Sequence, residues 1–339
     1  MRRVMSVAAA GAVAALTLIA GPMAAEAATP STDPRGTVAV KDVALTVGAD
    51  QSSRNLSWFS TDPTAKCVVY TATRGNHRST TVRAYATGAA TDAGYTWFHA
   101  TLSGLRSSTD YRYRVGDCAT HWSADYQLST QDGGRFSFLL VGDPQLGVAS
   151  DGTMTGTPGW QNTLTQATKR FPRSDFVVSA GDQVNSYTNT AQSPEWDAFL
   201  APRQLTQLAL APTVGNHDNA SGTGTQYAEH LALPNVSTLG AAAPGTGDYW
   251  YTYNGALFVD LDTNNLDVAA HEAFIRRPRL RTPVRPGPSR CSTTPCSARR
   301  TTRTTRTWCS CARSSRRCCR TSVSTWSSTA TTTTTPART

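Results

Sequence analysis

The chain has 339 residues, 39% of them apolar and 16% charged, with a formal net charge of +9 at pH 7. That length suits about two domains plus targeting segments. The positive charge is no argument for nucleic-acid binding: thirteen Arg and no acidic residue lie between Pro278 and Thr339, and leaving that stretch out takes the formal charge from +9 to −4. The body of the chain is mildly acidic and carries no recognisable nucleic-acid-binding module.

Residues 1–27 read as a secretory signal. Arg2 and Arg3 give the positive start, residues 7–20 form an apolar stretch, and Ala25-Glu26-Ala27 supplies a small-x-small cleavage pattern. The apolar stretch is short for a bilayer-spanning helix, which weighs against a membrane anchor. The residues after the Arg pair fit the twin-arginine motif poorly. The expectation is a secreted or extracytoplasmic protein without a transmembrane segment once the signal is removed. Residues 28–35 form a Pro/Thr/Ser linker.

From 36 to 130 the pattern is all-β. Short apolar or alternating runs recur at 38–40, 56–58, 67–70, 96–100 and 111–115, separated by Gly, Asn, Asp and Ser clusters. About seven strands in a sandwich are expected. Trp58, Trp97 and Trp122 read as sandwich core, and His99 and His121 as surface or strand residues. Cys67 and Cys118 are candidates for one disulfide in an exported protein, but the sequence leaves their pairing open.

After Gly133-Gly134 the grammar changes. Residues 136–141 form a continuous apolar run, as expected of a strand covered on both faces. Residues 160–171 read as a helix and 175–180 as a second buried strand. Residues 195–200 read as a helix with Ser193 as N-cap and Pro194 at the first helical position. A third strand falls within 208–214, a hairpin at 249–253 and 257–261, and another helix from 269. His230 and His271 lie on helical stretches and are expected to be solvated. Strands alternating with helices argue for a layered α/β domain.

A polar signature follows each of the three apolar strands: Gly142-Asp143-Pro144-Gln145, Gly181-Asp182-Gln183-Val184-Asn185 and Gly215-Asn216-His217-Asp218. The carboxyl ends of strands are where α/β sheets bind ligands. Each motif puts a hard oxygen donor just beyond its strand, a set suited to Mn, Fe, Zn or Mg. Two such ions sharing a carboxylate can generate hydroxide and clamp a phosphoryl group. The Gly before each donor is expected to let the backbone turn sharply.

The order of these motifs resembles the calcineurin-like metallophosphoesterases, including purple acid phosphatases. The run from Leu102 to Val115 resembles the late strands of the fibronectin type III domain that precedes the catalytic domain in the latter. The resemblance implies an α+β multidomain chain: an N-terminal all-β fibronectin III-like sandwich (36–130), then a truncated α/β/β/α metallophosphoesterase domain (135–277). It implies two metal ions, both divalent or Fe with a divalent partner, and a phosphate ester as substrate. Asp143 and Gln145 would bind the first metal, Asp182 would bridge both, and Asn216 would bind the second through its amide oxygen. His217 would stabilise the transition state or protonate the leaving oxygen, and Asp218 would orient His217. Two departures stand out. Gln145 takes the place of a His. Asn185 takes the place of the Tyr that colours the ferric site, with Tyr187 two residues too late.

The family's last His motifs are absent, since no His follows His271. Residues 278–339 are an Arg/Thr/Ser/Cys/Pro mixture without periodicity. Thr codons begin AC, so reading each third base with the next two turns Thr into His, Asn, Asp or Tyr. At that offset, with C-rich codons chosen to fit, 291–297 can become Leu-His-His-Ala-Leu-Phe, and the stretch from Thr329 to Arg338 can become Gly-His-Asp-His-Asp-Tyr-Ala-Arg. One offset is consistent with both missing motifs in order, so the tail reads as a frameshifted remnant. The rival reading is a Thr/Ser-rich disordered stalk. For the whole chain the alternatives to a phosphoesterase are an extracellular binding protein that uses its β-sandwich, or a non-functional frameshift product.

Overall fold

The computed structural model describes residues 38–75, 78–148, 156–239 and 245–276. The expected signal, linker and frameshifted tail lie outside these residues. No described helix is long and apolar enough to cross a membrane.

The N-terminal part is a sandwich of eight strands: β1 (Val40–Val47), β2 (Arg54–Ser60), β3 (Cys67–Ala72), β4 (Ser79–Arg83), β5 (Ala86–Ala89), β6 (Thr96–Leu102), β7 (Thr109–Gly116) and β8 (Tyr126–Thr130). One sheet runs β4-β3-β7-β8 and the other contains β5-β6-β2-β1. Trp58, Phe98, Leu56, Val68, Tyr113 and Val115 fill the space between them. Trp58 stacks on Phe98 at 5.3 Å and donates its indole N–H to the Ala65 carbonyl (2.9 Å). Trp97 and Trp122 are only half-buried. The open cysteine question is resolved: Cys67 on β3 and Cys118 just past β7 are disulfide-bonded.

The second part holds β9 (Phe138–Val141), α1 (Gly156–Arg170), β10 (Phe176–Ser179), α2 (Asn189–Leu200), β11 (Ala209–Pro212), α3 (Thr225–His230), β12 (Tyr249–Tyr253), β13 (Ala256–Asp260) and α4 (Val268–Ile275). Strands β9, β10 and β11 are parallel and in register. Val177 and Leu210 face the helix side with Trp160, Leu164, Trp196 and Phe199. Phe176, on the other face, meets Tyr251, Tyr253 and Phe258 of the β12–β13 hairpin. Helix layer, sheet and hairpin follow one another as the alternation of side chains along a strand requires.

Two expectations about the elements need correction, and the sheet holds one feature the sequence did not suggest. Helix α2 begins at Asn189, so Pro194 lies inside it and Ser193 is not its cap. Among the described residues strand β9 is only partly covered: it ends the seven-stranded sheet, Leu139 is buried and Phe138 stacks on Phe176 (5.3 Å), yet Phe138 stays 37% and Leu140 53% exposed. The two domains do not have separate sheets either. Strand β1 pairs in parallel with β11 (Thr46 opposite Leu210), giving the order β5-β6-β2-β1-β11-β10-β9.

The junction is also sealed by side chains. Every residue of β2 is buried. Ser57 and Asn55 donate to the carbonyls of His230 and Ala232, and Lys41 pairs with Asp92 (2.5 Å) and Asp197 (2.6 Å). His230 is not solvated: it is fully buried, stacked between Phe59 (4.3 Å) and Trp196 (5.0 Å). His99 is buried too, with Nε2 bonded to the Glu229 carbonyl (2.9 Å). The helix-like spacing around His230 marked a packed face, because a neighbouring domain supplies the cover that a lone helix would lack.

Candidate metal centre

The three polar loops leave the same edge of the sheet. The strand pairing continues into them: Asp143 N–H donates to the Gly181 carbonyl (3.2 Å), and Gln145 N–H to the Asp182 carbonyl (2.9 Å). Both aspartates sit in left-handed backbone conformation, Asp143 at φ 52° and Asp182 at φ 53°, and Gln145 does the same at φ 38°. Non-glycine residues adopt this region at some cost, and functional sites concentrate such positions. The preceding glycines play different parts. Gly181 takes φ 99°, which permits a sharp turn. Gly215 is needed for close approach, since a Cβ there would fall 2.0 Å from Asp182 Oδ1.

Asp143 and Asp182 meet side chain to side chain. Burial first, and then the charge and hydrogen bond of Asp182, push the Asp143 carboxyl above its ordinary range. Two carboxylates in contact repel unless a proton or a cation lies between them. Gln145 Nε2 approaches Asp182 Oδ2 at 3.4 Å, and the backbone N–H of His217 donates to Asp182 Oδ1 (3.1 Å). Asp143, Gln145 and Asp182 thus come together. Asn216 joins through the loop that His217 shares with it.

Asp218 plays a different part from the one expected. Its carboxylate is fully buried and accepts four backbone N–H bonds, from Asp182 (2.9 Å), Gly215 (2.7 Å), Gln183 (2.8 Å) and Val184 (3.3 Å). It clamps the second and third loops together. Burial pushes its carboxyl up to about 7, against the pull of these donors. The His217 ring is held elsewhere. Nδ1 bonds the Asn185 carbonyl, and Nε2 lies 2.9 Å from the hydroxyl of Tyr187. That hydroxyl also accepts from Asn216 Nδ2 (3.2 Å), and the rings of Tyr187 and His217 lie 4.4 Å apart. Tyr187 was passed over because its sequence offset does not match. The fold of loop 183–187 brings it back over the site, and no fixed spacing signals that.

His271 is not solvated. Nδ1 bonds Asp248 (2.7 Å) and Nε2 the Asn265 carbonyl (2.8 Å), behind the third loop. Among the described residues no three His, Cys, Asp or Glu side chains are grouped to hold a metal. Gln145 turns its Nε2 to Asp182 (3.4 Å) and Asn216 its Nδ2 to Tyr187 (3.2 Å); two carboxylates with amide oxygens are a donor set that fits a hard cation. The crowding of Asp143 against Asp182 is what such a cation would relieve.

Residues 40–130 match the family model of the purple acid phosphatase N-terminal domain, and residues 136–282 match that of the calcineurin-like phosphoesterase. The chain therefore joins a purple acid phosphatase N-terminal domain to a calcineurin-like phosphoesterase domain. A solved purple acid phosphatase, PPD1 from seeds of yellow lupin (Lupinus luteus), is similar in fold. Its TM-score is 0.52 at 17% identity, over 70% of this chain and 48% of the lupin chain. This chain thus spans about half the length of that protein. A second structure, the vertebrate membrane protein astrotactin-2, has a TM-score of 0.22 at 8% identity over 40% of this chain and 26% of its own, too low to support any argument. No curated protein matches the chain. Residues 136–282 thus carry a calcineurin-like phosphoesterase fold.

Proposed function

We propose that the chain is an exported phosphoesterase that hydrolyses phosphomonoesters or phosphodiesters at a dinuclear metal centre. The observation that supports this most is the meeting of Asp143 and Asp182 at adjacent strand ends, both in left-handed conformation, beside Gln145 and the loop of Asn216 and His217. Asp143, Gln145, Asp182 and Asn216 would hold the metals. Bound there, the ions would supply a hydroxide nucleophile and neutralise charge on the phosphoryl oxygens. His217 would address a substrate oxygen through Nε2. Asp218 would serve from behind, keeping the second and third loops in position.

We also propose that this chain is impaired. Four oxygen donors are a short set for two ions, and metal sites depend on a complete shell. The His-free stretch after His271 would then be the frameshifted remainder of the ligand set. The test is hydrolysis of p-nitrophenyl phosphate with added Mn, alongside measured metal content, for this chain, for a chain with the frame restored at codon 278, and for the restored chain carrying Asp182→Ala. The restored chain should turn over substrate. Asp182→Ala should lower its kcat/KM at least 100-fold and reduce its bound metal. Full metal-dependent turnover by the present chain would refute the impairment, and an undiminished Asp182→Ala variant would refute the site.

A further inference from the structure

The contacts of Tyr187 form a directed chain. A carbonyl oxygen only accepts, so the bond from His217 Nδ1 to the Asn185 carbonyl puts the proton on Nδ1. In the neutral ring Nε2 is then an acceptor, and its partner at 2.9 Å is the Tyr187 hydroxyl, which must donate. The same phenolic oxygen accepts from Asn216 Nδ2 at 3.2 Å. The amide nitrogen of Asn216 is thereby engaged, and its oxygen is the end left for a cation. Tyr187 is 53% exposed, and its ring lies against the His217 ring at 4.4 Å. Half-exposed and set against the imidazole, it stands between His217 and part of the solvent.

We propose that Tyr187 is a displaceable cap on His217 and a positioning residue for Asn216. Its hydroxyl oxygen occupies the place where a substrate oxygen would meet Nε2. This rests on the role of His217 given above, but the cap is testable without catalysis. With its site free of substrate, the protein holds an oxygen of its own between the amide of Asn216 and the imidazole of His217. A phosphate ester reaches Nε2 by displacing the phenol, so access to His217 is graded by how readily residue 187 leaves.

The test uses the full chain and diethyl pyrocarbonate, which acylates an unprotonated, unshielded imidazole nitrogen, with peptide mapping to read each histidine. Tyr187→Phe keeps the ring and removes the hydroxyl. His217 should then be labelled about five-fold or more faster. His121, exposed and paired with Asp117 (2.7 Å), should label at an unchanged rate, and the buried His99 and His230 should stay protected. Equal His217 rates in the two proteins would overturn the cap. A second measurement needs no variant. Long-range ¹H–¹⁵N correlation on the unmodified chain should show His217 as the Nδ1–H tautomer with Nε2 accepting a hydrogen bond. Finding the proton on Nε2 would overturn the proposal whatever the variant does. Neither readout depends on turnover, so inactivity of the chain leaves the test intact, and failure of the cap leaves the phosphoesterase reading standing.

Discussion

Strands β2 and β9 belong to one sheet, yet they meet opposite surroundings: β2 alternates polar and apolar residues, whereas β9 is an apolar run. β2 is buried at every residue, between the second sandwich sheet on one face and the segment around His230 on the other. β9 lies at the far end, with Leu140 largely exposed and Phe138 only partly covered by Phe176 and Phe258. An apolar run is an offer of burial, and whether the offer is taken depends on what the rest of the chain supplies. Exposed apolar edges of this kind are sites of association.

The largest effect should come from the covered side. Trp58→Ala removes a fully buried ring and its hydrogen bond to Ala65, and should cost about 3–5 kcal/mol, read as a fall in the denaturant midpoint. Replacing Cys67 and Cys118 by Ser opens a cross-link between residues 51 apart in sequence, and should cost about 2–4 kcal/mol. A smaller effect should distinguish the two regions by pH. Burial pushes the Asp260 carboxyl, beside Asp248 and Asp262, up to about 7. Between about pH 4 and 7 the folded chain then binds more protons than the unfolded one at this residue, so its contribution falls as pH rises. Burial holds His99 down at about 4, so its contribution is lost instead as pH falls from about 6.5 toward 4. Asp260→Asn should therefore raise Tm at pH 7.5 relative to the parent and leave the acid-side loss intact. An unchanged difference in Tm between pH 5 and pH 7.5 would count against this. The smallest effect belongs to β9. Leu140→Ser should change stability by less than about 0.5 kcal/mol while reducing self-association, measured by light scattering. A cost like that of Trp58→Ala would mean that β9 is covered after all.

Much of the fold was legible because it rests on local pattern. The alternation in β2, β6 and β7, the apolar runs of β10 and β11, and the hairpin at Tyr249–Tyr253 and Ala256–Asp260 all lie close to where periodicity puts them. The pairing of β1 with β11 was not legible, because two strand edges carry no sequence label for each other. The start of α2 was missed because Pro194 reads as a beginning, although the helix accommodates it one turn further in. At the site, residue types and order pointed to Asp143, Gln145, Asp182 and Asn216. The parts of Asp218 and Tyr187 were hidden because each depends on how a loop folds back. A carboxylate two residues after Asn216 gives no sign in sequence that its partners are backbone amides of another loop.

The parallel pairing of β1 with β11 has one more consequence. The connector at residues 132–135 is exposed and contains Gly133-Gly134, the kind of segment a protease cuts first. A cut there would sever the covalent chain, yet the fragments would still share a seven-stranded sheet, a common apolar core and the Lys41–Asp197 contact. Such a nicked protein should migrate as two bands under denaturing conditions and as one particle under native ones. The boundary that divides the two domains in sequence is therefore not a line along which the folded molecule comes apart.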